Sequence, residues 1–172
     1  RWSHQQDAKA NPSVNFSANV EAGSSTYHRN NSYNDDYLKN TMSSNINLTK
    51  SWNKKFFQNL NFSLRHSQNM SNNNINLTLP EISLNSKRIY PFKLKRNFNR
   101  QKWYDKISIK YDMNTRNTIS TMDSLLFTKN SFSKFRNGMK HNIPISTTIN
   151  LLKHFNFTQN INLSIKRCVK II

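Results

Sequence analysis

The stretch from Phe56 to Leu84, FFQNLNFSLRHSQNMSNNNINLTLPEISL, limits the possible fold more than any other. Leu60, Phe62 and Leu64 alternate with Asn59, Asn61, Ser63 and Arg65. Beyond a polar break, Ile75, Leu77 and Leu79 alternate with Asn74, Asn76 and Thr78. Successive side chains of a strand point to opposite faces, so a period of two gives each run one apolar face and one face of small neutral polar groups. The intervening SQNMSNNN is rich in turn-forming residues, and the two runs read as an antiparallel hairpin.

The pattern recurs along the chain. Val14, Phe16, Ala18, Val20 and Ala22 form a first alternating run, and Ile46 and Leu48 mark a second that ends at Trp52. Pro80 interrupts the alternation; a residue that cannot donate to the ladder implies a bulge, an edge or a bend there. Ile107, Ile109, Tyr111 and Met113 give another strand, the stretch Ile119 to Thr128 a less regular one, and SFSKFRNGMKHN a loop around Gly138. Ile143, Ile145, Thr147 and Ile149 follow, with Pro144 at the strand start, and Phe155 to Ile165 close the series. Gly23 to Asn40 reads as a long polar loop. Roughly eight strands result. On this count the short turns at Asn53 to Lys55 and at Lys153 to His154 fall on opposite sides of the sheet, against the short–long alternation of loops in outer-membrane barrels.

A soluble sandwich needs two inward apolar faces, whereas here one face of each strand is Asn, Ser and Thr. The expected fold is therefore all-β, a segment of an antiparallel transmembrane barrel with an apolar exterior and a wet interior. No run approaches the roughly 20 apolar residues of a spanning helix, so a membrane would be crossed by strands. The mean hydropathy of −0.82 does not oppose this, because alternating strands give a weak hydropathy signal. Trp52, Phe56 and Phe57 gather beside charged turn residues, which suits an aromatic girdle.

The formal charge of +18 is densest in Lys87, Arg88, Lys93, Lys95, Arg96, Arg100 and Lys102, interleaved with Tyr90, Phe92, Phe98 and Trp103. Solvated surface biased toward Lys and Asn is one reading, a basic nucleic-acid-binding module a second, and attraction to anionic headgroups a third. An Asn-rich segment of a surface protein, or a non-functional remnant, is a further alternative. Cys168 is the single cysteine, and His4, His28, His66, His141 and His154 are dispersed, so no disulfide framework or metal-ligand spacing is present. No acid–base pair, phosphate loop or GxSxG motif occurs; neither an enzyme nor a cofactor is expected.

The segments RWSHQQDAKANPS, AGSSTYHRNNSYN, HSQNMSNNNINLTLPEISLNSKRIYPF, KWYDKISIKYDMN, STMDSLLFT and NGMKHNIPISTTINLLKHFNFT resemble the barrel region of the LPS-assembly outer-membrane proteins of the LptD family (OstA, organic solvent tolerance), in its Bacteroidota branch. The resemblance implies part of a large outer-membrane β-barrel that inserts lipopolysaccharide (LPS) into the outer leaflet of a Gram-negative cell. It also implies an LptE-like plug lipoprotein, periplasmic Lpt components and outer-membrane lipids as partners, and no nucleic acid. It carries over no catalytic residues.

Three features depart from the family: no signal peptide, no periplasmic jelly-roll domain, and too few strands to close a barrel. With Arg1 in place of a starting Met, the chain is expected to be a fragment, one partial barrel domain over 1–172. IKRCVKII after Ser164 loses the alternation, so 165–172 are expected to form an aberrant tail. Arg65, Lys106 and Lys110 are the candidate lumenal contacts for LPS phosphates, Lys106 and Lys110 as neighbours on the polar face of one strand.

Overall fold

A computed structural model describes the chain except for residues 22, 24–40, 54–55, 94–101, 127, 129–130, 132, 153–154 and 171–172. The expected long loop Gly23 to Asn40, much of the basic connection (Lys95, Arg96, Phe98, Arg100) and the tips of both short turns therefore lie largely outside the described residues.

The strands are β1 (Trp2–Gln5), β2 (Val14–Val20), β3 (Thr41–Ser51), β4 (Phe57–Asn69), β5 (Asn74–Ser86), β6 (Ser108–Ile109), β7 (Asp112–Met122), β8 (Arg136–Leu152) and β9 (Phe155–Lys170). All pair antiparallel in a single open sheet, in the order β1-β2-β3-β4-β5-β7-β8-β9, with β6 beside β8. Strands of 11 to 17 residues dominate, whereas globular proteins favour about 5–6 and a tilted membrane strand needs about 9–11.

The opening hairpin is β4 and β5, and its turn is narrower than SQNMSNNN. The Asn69 side-chain carbonyl accepts the Ser71 N–H at 2.9 Å and that of Asn72 accepts the Asn74 N–H at 3.1 Å, while Asn73 takes a positive φ of 52°. Asn is one of the few residues that does this at low cost.

Pro80 makes a bulge. Arg65 pairs with Thr78 and Ser63 with Glu81 on one side, and Thr118 pairs with Thr78 and Arg116 with Glu81 on the other. Leu79 and Pro80 thus oppose the single residues Leu64 and Asn117. The extra residue shifts the alternation by one, so Ile75 and Leu77 before it and Ile82 and Leu84 after it share one face.

β6 and β7 keep a common register along β8, from Ser108 opposite Ser146 to Thr118 opposite Arg136. They are one strand with a short interruption at Lys110 and Tyr111. Pro144 explains it: its carbonyl accepts the Lys110 N–H at 3.1 Å, but it has no N–H to return. On the other side the buried Ser86 hydroxyl, rather than a backbone carbonyl, accepts the Tyr111 N–H at 2.7 Å.

Several expectations change here. The stretches read as separate strands at Ile107 to Met113 and Ile119 to Thr128 are this one strand, followed by a 3-10 turn at Asp123–Leu125. With one element fewer, the β3–β4 and β8–β9 connections fall at the same end of the sheet. Loop length still does not separate the two ends, since residues 87–107 join strands at the Trp52 end and 70–73 at the Asn73 end. Pro144 is interior to β8, and the expected loop around Gly138 is strand from Arg136 onward. Those polar residues are poor strand formers, but β7 and β9 pair with them from both sides, and tertiary pairing overrides propensity. β9 continues to Lys170 with Arg167 opposite Met139 and Cys168 opposite Gly138.

Candidate functional site: the inner wall of the sheet

The ladders sort the side chains into two faces. One collects Phe16, Leu48, Phe62, Ile82 and Thr115 in a single cross-strand row, with Ile46, Leu60, Leu64, Leu84 and Met113 in rows beside it. Of these apolar side chains Leu48 is 39% exposed and the others are half-buried, and where the same face continues onto the edge strand β9, Ile161, Leu163 and Ile165 are 52–63% exposed. A water-soluble protein rarely exposes a patch of that extent. The few buried apolar residues, Ala18, Met42, Ile75 and Ile119, lie on the same face, and Met42 and Ile75 share a row near the Asn73 end.

The opposite face holds the row Gln5, Ser17, Asn47, Ser63, Glu81, Arg116 and Gly138. One cavity of about 590 Å³ touches Gln5 on β1 and Asn114 on β7, along with Asn47, Asn61 and Ser83 between them. Neighbouring strands lie about 4.8 Å apart. Side chains five ladders apart line one cavity only if the sheet curls with its polar face inward. That curl, the length of the strands and the exposed apolar outer face define a class: an outer-membrane β-barrel wall, apolar outside and hydrated inside. Among the described residues no helix is long and apolar enough to cross a membrane.

Charge on the inner wall centres on the bulge. Glu81 Oε1 accepts the Arg116 Nε–H at 3.0 Å and a closer bond from Nη2, and Glu81 Oε2 lies 3.0 Å from Arg65 Nη2, an ion contact without hydrogen-bond alignment. Lys110 reaches Asp112 at 2.9 Å. Two of the three sequence candidates, Arg65 and Lys110, therefore face inward but are each held by a carboxylate. Lys106 ends the 3-10 turn Trp103–Lys106 ahead of β6, so it does not share a strand face with Lys110. Arg116, Lys140 and Lys166 were not among the candidates; the alternation Asp112, Asn114, Arg116 was the signal that would have placed Arg116 inward.

At the Trp52 end, Phe56 and Phe57 meet edge-on with centroids 5.0 Å apart, and the Trp52 N–H bonds to the Gln58 carbonyl at 2.8 Å. Lys93 lies over the Tyr90 ring and Lys102 over the Tyr104 ring at 5.8 and 5.5 Å. The Tyr104 hydroxyl beside it holds the Lys102 ammonium above the ordinary lysine value. Two lysines of the connection thus lie over tyrosine rings, as at a membrane–water boundary. No group of three metal-ligating side chains occurs among the described residues.

The family model described as LptD protein matches residues 1–170, nearly the whole chain. The chain belongs to that family, whose members are outer-membrane proteins of Gram-negative bacteria acting in LPS transport and outer-membrane assembly. No curated protein and no solved structure matches the chain.

Proposed function

We propose that this chain forms part of the wall of an outer-membrane translocon that passes LPS into the outer leaflet, together with an LptE-like lipoprotein and periplasmic Lpt components. The observation that carries this reading is the curled inner face lined by Asn, Ser and Thr across β1 to β7. Such a face exchanges hydrogen bonds with sugar hydroxyls as readily as with water, while Ile, Leu and Phe outside meet acyl chains. Transport along it needs a path and no covalent step, so the protein is not an enzyme. Arg65 and Lys110 meet LPS phosphates by exchanging Glu81 or Asp112 for the ligand, and Lys106 meets them from the rim.

The test is photo-crosslinking in LPS-producing cells, with a photoreactive residue at Asn61 on the inner face. Adducts with LPS are expected there that disappear when the supply of LPS from the periplasm is blocked. No adduct at Asn61, or one that persists unchanged under that block, overturns the reading.

A further inference from the structure

Lys140 on β8 lies directly opposite Lys166 on β9, and both are on the polar face. Like charges set across a ladder destabilise it, and the usual remedy is a nearby carboxylate. Elsewhere on this wall that remedy is present, Asp112 for Lys110 and Glu81 for Arg65. None of the described ion pairs includes Lys140 or Lys166. Both line a cavity of about 320 Å³ with Arg116, Glu81, Gly138 and Cys168. Its three cations, Arg116, Lys140 and Lys166, face a single carboxylate, Glu81, which also serves Arg65 outside the cavity.

Gly138 lies in the floor of this cavity, between Arg116 on β7 and Cys168 on β9. Its backbone has no positive φ, and an added Cβ would come no closer than 3.8 Å to the Arg116 carbonyl, an ordinary contact. Neither backbone conformation nor a close approach therefore calls for glycine, which costs a strand interior stability. What glycine does here is leave the space between the cations open.

We propose that Arg116, Lys140 and Lys166, around the opening left by Gly138, form an anion site for a phosphate monoester group on the inner wall. The two ammonium groups, backed by the guanidinium that Glu81 holds in place, match the charge of a dianionic phosphate. That the phosphate is carried by a transported amphiphile rests on the function proposed above; the site itself does not.

The full chain in detergent is titrated with inorganic phosphate, followed by ³¹P line broadening, and separately mixed with micelles of a phosphorylated glycolipid and of its dephosphorylated form. Saturable phosphate binding is expected, weakened by at least about tenfold in Lys140→Gln/Lys166→Gln and in Gly138→Val. Gly138→Val keeps all charges and favours strand, so loss of binding there with strand-rich circular dichroism retained reports the opening and not misfolding. No saturable binding, or binding equal in all variants, overturns the site. Phosphate binding without preference for the phosphorylated glycolipid supports the site and overturns its link to transport.

Discussion

Replacing Glu81 by Gln removes the one carboxylate between Arg65 and Arg116 and leaves the volume of the bulge nearly unchanged. Each of its two ion contacts lies on a half-exposed surface, with the arginine side chains 57 and 60% exposed and Glu81 21% exposed. Exposed pairs are worth about 0.2–1 kcal/mol each, so the two together supply about 1–2 kcal/mol once the partly buried glutamate is allowed for. The freed guanidiniums then face each other and the two nearby lysines, which adds to the loss at low salt. For a chain of this size 1 kcal/mol moves the midpoint by about 2–4 °C, so the variant melts about 2–8 °C lower in detergent. Because the cost is electrostatic and reached by water, raising the salt from about 0.05 to 0.5 M recovers much of it as the Debye length shortens. Thermal unfolding followed by circular dichroism at both salts measures this. A Glu81→Gln variant that melts with the wild type at low salt, or whose loss is the same at both, refutes the assignment of Glu81 as the charge anchor of the wall.

Three further outcomes are expected. Leu64→Lys, outward at mid-strand, costs about 2–4 kcal/mol in bilayer-folded protein while Asn61→Lys, inward, costs little, measured by urea unfolding in liposomes; equal costs would reverse the faces. Ser86→Ala leaves the Tyr111 N–H without the acceptor it now has at 2.7 Å and lowers stability by about 1–3 kcal/mol, and faster hydrogen exchange at Tyr111 localises the effect. Changing Arg65, Lys106 and Lys110 together to Gln in the cell's own protein reduces LPS surface delivery, read by surface labelling of LPS, and undiminished delivery would discard those three as lumenal contacts.

The hairpin of β4 and β5 was legible because its apolar residues are large and its neutral partners regular, and a bulge was one of the three readings open at Pro80. β1 was missed: Trp2 to Gln5 has no alternation of its own and is strand because β2 supplies its ladder. The start of β8 was missed because Asn137 to Asn142 are poor strand formers held between two partners. Arg65 was placed on the correct face by parity alone. Its link to Arg116 through Glu81 was not legible, because it depends on a register shifted by one residue at Pro80. The facing of Lys140 and Lys166 is likewise a fact of pairing, set by where the β8–β9 hairpin turns rather than by any local motif.

The bulge at Pro80 also bears on how a wall of this kind can change length. In a strand with two different faces, one inserted residue ordinarily turns every later side chain to the wrong medium. Here the surplus is absorbed where Leu79 and Pro80 face single residues on both neighbours, and the chain on either side keeps its orientation. Odd insertions and deletions are therefore tolerable inside the membrane at such a point, and relatives with this architecture can differ in strand length as well as in loops while their inner and outer surfaces stay the same.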